Sequence, residues 1–143
     1  MMALSDDVAI ERLALAMIGR TLPKAEWTHA AHFATALWIL RNRPDLAEPE
    51  AIRALISGYN ASVGGQNTDD AGYHHSITLA SIRAAADHLA RHTDAPLHAA
   101  LASLMAGPLG HPDWLLRYWR RETLFSVAAR RGWEEPDLQP LPF

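Results

Sequence analysis

Cysteine is absent from the 143 residues, which excludes disulfides, thiolate metal sites and a cysteine nucleophile. Long apolar runs are missing as well. The longest, residues 33–40, is interrupted by Thr35 and falls far short of the roughly 18 residues that a membrane span needs. Excess positive charge is also lacking. Thirteen Lys plus Arg against sixteen Asp plus Glu give a net charge of -3, so the basic footprint of a nucleic-acid binder is not there. Lysine occurs once, at Lys24; the arginine bias reads as coding preference in a GC-rich bacterial genome. The opening M-M-A-L-S-D-D-V has acids where a secretory signal needs bases, so a cytoplasmic location is expected.

What is present favours helix. Hydrophobic residues make up 49% and charged residues 20%, a globular composition. Alanine, the strongest helix former, occurs 26 times. The apolar period is helical almost throughout, and strand-like alternation is not found. The expectation is an all-α fold, residues 1–143 forming one domain. It should have about five main helices, short C-terminal helices and an extended proline-rich tail.

The first helix should follow a Ser5 N-cap and end near Arg20. The second, capped near Pro23 or at Thr28, should end near Asn42. A third should run from Pro49 to about Tyr59, a fourth from about Tyr73 to His92, and a fifth from about Pro96 to Ala106. Shorter pieces should follow at about 114–119 and 126–131, the last with Ser126 as N-cap and Gly132 as C-cap. The second helix reads H-A-A-H-F-A-T-A-L-W-I-L, apolar around nearly its whole circumference, as a buried central helix would be. Residues 62–72 form the opposite, a polar Gly-rich loop, and loops of that length are often functional.

Histidine carries the candidate chemistry. Four of eight fall in two tight segments, E-W-T-H-A-A-H and G-Y-H-H-S-I-T. His29 and His32 lie three apart on one helical face. With His74 they would make a three-imidazole set suited to a divalent transition metal (Zn, Fe or Ni). Glu26, Asp69 or Asp70 would supply a carboxylate. Without metal, the same neutral imidazoles suit acid–base work on a small molecule. Two alternatives stay open: a non-catalytic small-ligand or sensor module, and a structural domain whose core histidines bond to backbone carbonyls. His88 and His92 read as a solvated helix end. His98 and His111 have no partners in sequence. The five tryptophans read as anchors of core and tail. Arg117, Arg120 and Arg121 would clamp an anion, unless Arg121 and Glu122 form an internal ion pair.

Three segments resemble a family of small all-helical bacterial proteins of unassigned activity. They are W-T-H-A-A-H, N-T-D-D-A-G-Y-H and the closing L-F-S-V-A-A-R-R-G-W-E-E-P-D-L, and they span the chain from Glu26 into the tail. In that family the residue after the Tyr-His pair is often acidic, whereas here it is His75. The resemblance implies a site at His29, His32 and His74, with Tyr73 and Thr78 supporting it, and names no reaction. The expected partner is a small molecule, with neither nucleic acid nor membrane; a homo-oligomer is compatible with the sequence.

Overall fold

The computed structural model describes residues 4–143. Seven α-helices are found among them: α1 (Asp7–Ile18), α2 (His29–Asn42), α3 (Pro49–Ser62), α4 (His75–Ala90), α5 (Leu97–Ala106), α6 (Arg121–Leu124) and α7 (Val127–Arg131). Single 3₁₀ turns at Lys24–Glu26, Pro44–Ala47, Pro108–Gly110 and Trp114–Arg117 join them. No strand occurs among the described residues. The protein is all-α, a bundle of five main helices with short C-terminal ones.

Local chemistry sets the helix starts. Asp6 caps α1, its Oδ1 accepting the Ala9 N–H at 2.8 Å. The expected cap, Ser5, thus lies one residue too early, and two neighbouring residues of cap-forming type explain the shift. Thr28 caps α2 through the Ala31 N–H at 3.2 Å. Pro49 opens α3 at N1, where its missing N–H costs nothing. Ser126 caps α7 through the Ala129 N–H at 3.1 Å, and Gly132 follows that helix as C-cap.

Helix α2 is the centre of the bundle. It packs against α1, α4 and α5 and buries eight side chains, from Ala31 to Ile39. Burial on both flanks is what its uniform apolar surface requires, since no face is left for water. Trp38 lies in this core while its indole N–H reaches Glu11 of α1 at 3.3 Å.

The C-terminal segment straps the bundle. Trp119 is fully buried and donates its indole N–H to the Glu134 carbonyl at 3.0 Å. The Leu138 N–H donates to the Tyr118 carbonyl at 2.9 Å. The Arg83 guanidinium holds the Phe143 carbonyl at 2.6 Å. Leu141 and Phe143 pack on the core, whereas the Leu138 side chain stays exposed. Three prolines after Glu135 prevent helix here, so the strap is held by single bonds rather than a repeating ladder.

Candidate functional site

The polar loop before α4 is locked rather than open. Asn67 is its hub: its Oδ1 accepts the Tyr73 N–H and the Asn60 amide, both at 3.0 Å, and its own amide donates to the Ser57 carbonyl at 3.0 Å. Gly72 turns the chain at φ +83°, where an added Cβ would stand 2.0 Å from the Gln66 carbonyl oxygen. Only glycine fits that turn without strain. The loop is then clasped by α7. Asp69 forms a two-bond ion pair with Arg131 at 2.7 and 2.8 Å, and Arg130 donates to the Gly72 carbonyl at 2.9 Å. The Ser76 hydroxyl donates to the Gly132 carbonyl at 2.7 Å. The N-T-D-D-A-G-Y-H and A-R-R-G-W segments are therefore two halves of one structural joint, and Asp69 belongs to that joint.

His74 belongs to it too. Its Nδ1 accepts the Ile77 N–H at 3.2 Å, so the imidazole itself is the N-cap of α4. Its Nε2 donates to the Leu124 carbonyl at 2.6 Å. Both nitrogens are spent, and only the neutral ring can accept with one and donate with the other. Burial, the largest influence, also holds this histidine below its usual pKa, against the pull of the Leu124 carbonyl.

The two histidines of α2 bond different carbonyls. His29 bonds the Leu109 carbonyl through Nε2 at 2.8 Å. His32 bonds the Thr28 carbonyl through Nδ1 at 2.6 Å and lies on Trp27, ring centroids 3.9 Å apart. The expected convergence of His29, His32 and His74 is corrected: each ring is directed to a carbonyl in a different part of the chain. Among the described residues no three His, Asp or Glu side chains gather in a group able to hold a metal ion. The donor set does not fit the metal that the spacing suggested.

His88 is corrected as well. It is 7% exposed, not solvated, and bonds the Ala100 carbonyl of α5 at 3.0 Å. Its ring stacks on His92 at 4.2 Å. The end of α4 looks free in sequence because its cover comes from α5, whose Ala100 lies twelve residues after His88. His98 has a partner after all, the Asp7 carboxylate at 2.7 Å. Arg121 sits over the Phe125 ring, 5.7 Å from its centroid.

What remains is an apolar pocket between α1, α2, α3 and α4, with about 80 Å³ open to water-sized molecules. Ile39, Ile52, Ile56 and Ile77 form much of its wall, Trp27 flanks it, and His32, Thr35, Thr78 and Ser81 are its polar members. No charged side chain lines it. Thr35 is 3% exposed, and its hydroxyl has no hydrogen-bond partner. A buried hydroxyl left unmet costs about 1–3 kcal/mol, so a structure that keeps one calls for a reason. His32 is exposed to solvent on one side, yet the protein packed around its inner side, chiefly through lost solvation, pushes its pKa down. With Nδ1 committed to Thr28, the neutral ring carries its lone pair on Nε2.

Behind the pocket wall, the Tyr73 hydroxyl and His75 Nδ1 share a hydrogen bond of 2.6 Å. Burial pushes the Tyr73 phenol up to about 12, opposed by hydrogen bonding with Thr78 and by the nearby Arg53. Burial and then Arg53 hold His75 down. Thr78 thus touches both the pocket and this pair, while its hydroxyl donates to the His74 carbonyl at 2.8 Å. A larger groove of about 560 Å³ runs beside the tail, between His88, Arg91, Arg117 and Phe143. It is less well equipped, because Arg91 is already paired with Asp87 at 2.9 Å.

The sequence therefore brings His32 and Thr78 to one pocket and leaves His29, His74 and Asp69 outside it. Thr35 and Ser81 are additions. Thr35 was visible as the one polar residue in the run 33–40, whereas nothing marked Ser81. No family model, curated protein or solved structure matches the chain.

Proposed function

We propose that the protein binds a small uncharged molecule in the pocket between α1 and α4, with His32 as the polar anchor at its mouth. The observation that carries this reading is the unpartnered, buried Thr35 hydroxyl on the wall of an otherwise apolar pocket. Apolar walls with a few placed polar groups are the usual make-up of small-molecule sites. The absence of any charged lining residue argues against carboxylates, phosphates and ammonium ions, whose desolvation would go uncompensated. The resemblance to small helical bacterial proteins fits the reading, since Trp27 and His32 of W-T-H-A-A-H line the pocket, as does Thr78, which the resemblance implies as a supporting residue. A cytoplasmic setting and a chemical role are part of the same proposal. His32, oriented by a carbonyl and neutral, is equipped as a general base as well as a hydrogen-bond acceptor.

The test is a screen of small neutral compounds followed through the methyl resonances of Ile39, Ile52, Ile56 and Ile77. Binding in the pocket shifts these four and leaves Ile10 of α1, which does not line it, unmoved. A screen in which no compound shifts them, with the protein folded, overturns the proposal.

A further inference from the structure

The polar groups of the pocket also define what the ligand must carry. His32 presents Nε2 as its free polar atom, because Nδ1 donates to the Thr28 carbonyl. That atom accepts and cannot donate. Thr35, one turn further along α2, has a hydroxyl without any partner, free to donate. Thr78 also lines the wall, and its own proton is spent on the His74 carbonyl, which leaves it an acceptor. The pocket thus presents acceptors and a free hydroxyl together, and a group that both donates and accepts satisfies them.

We infer that the pocket selects a compact neutral alcohol, whose O–H donates to His32 Nε2 while its oxygen accepts from the Thr35 hydroxyl. This rests on the binding role proposed above and narrows it to a substrate class. A ketone or ether of the same shape engages Thr35 and leaves His32 unmet. An amine is an ammonium ion near neutral pH and finds no carboxylate on the wall. Size narrows the class further. The open space, about 80 Å³, is roughly half that of a cavity known to admit benzene. An alcohol of two or three carbons matches it, and a sugar or nucleoside does not.

The experiment compares 2-propanol, acetone and isopropylamine on the full chain, with the same isoleucine methyls as readout and xenon as a probe of the space alone. The expected order is 2-propanol about tenfold tighter than acetone, the factor that one net hydrogen bond supplies, with no binding of the amine. In His32→Phe, which keeps an aromatic ring on Trp27 without an acceptor, the alcohol preference falls to about twofold or less while acetone still binds. Thr35→Val weakens both compounds and keeps their ratio. Equal or tighter binding of acetone overturns the inference and leaves the pocket's binding role standing. So does a full alcohol preference in His32→Phe, or xenon entry with no alcohol bound. Failure of xenon and all three compounds to reach the pocket overturns both.

Discussion

Replacing His74 by alanine tests the joint on which the start of α4 depends. The ring accepts the Ile77 N–H and donates to the carbonyl of Leu124, a residue 1% exposed. Loss of a side-chain N-cap costs about 0.5–2 kcal/mol. Loss of the donor leaves a buried carbonyl unmet at about 1–3 kcal/mol. The two effects act at opposite ends of one ring, and together His74→Ala should cost about 2–4 kcal/mol. That is a large part of the 5–15 kcal/mol that holds a typical domain folded. Urea denaturation followed by circular dichroism measures it, and an unchanged slope confirms that the midpoint shift reports stability. His74→Asn separates the two contributions, since asparagine caps well but does not reach Leu124. It should recover about 1 kcal/mol of the loss. A cost below about 0.5 kcal/mol in both variants would refute the bridging role and return His74 to candidacy as a ligand-binding residue.

The pH dependence of stability has a definite sign. His32, His74, His75 and His88 are all held below the usual value of 6.5, burial being the largest cause in each. Between those lowered values and 6.5 the unfolded chain binds more protons than the folded one, so stability rises with pH across that window. The urea midpoint should be highest above about pH 7 and fall as the solution is acidified through 6.5 towards 5; a flat profile would contradict the buried neutral rings. Trp38→Ala removes the largest side chain of α2 from the core and should cost about 3–5 kcal/mol, with a loss under about 1 kcal/mol showing that α2 is not central. Deleting residues 134–143 takes away the Glu134 carbonyl that serves Trp119 and the backbone bond to Tyr118. The melting temperature should drop and dye-binding apolar surface should appear, whereas unchanged melting would mean the strap carries no stability.

The fold was legible where a pattern is local. The all-round apolar surface of α2, the Ser126 cap and the Gly132 stop each follow from a few adjacent residues. The beginning of α4 was placed two residues early, near Tyr73 instead of His75, because a histidine side chain does the capping there. The site was legible only in part, and the reason is distance along the chain. His29 and His74 look like ligands in sequence, and His88 like a solvated helix end, because their partners are carbonyls, which every residue has and no spacing reveals. Leu109 lies 80 residues from His29, and Leu124 lies 50 from His74. His32 was found because its segment is short, and its tautomer comes from Thr28, only four residues away. Ser81 gave no signal, since a serine on a helix face is ordinary until α1, α2 and α3 close around it.

The joint between the α4 loop and α7 also governs the order of events at birth. His74 leaves the ribosome 50 residues before the Leu124 carbonyl it must meet, and Asp69 precedes Arg131 by 62. At about 5–20 residues per second, that gap lasts roughly 3–12 s. For most of it α2 is complete, while the Trp119 and tail segments that cover the bundle do not yet exist. A nascent chain in this interval exposes the central helix of the protein, whose eight buried side chains lack their final cover. Slower decoding between residues 75 and 124 would lengthen that exposure and lower the yield of soluble protein without changing a single contact of the finished fold.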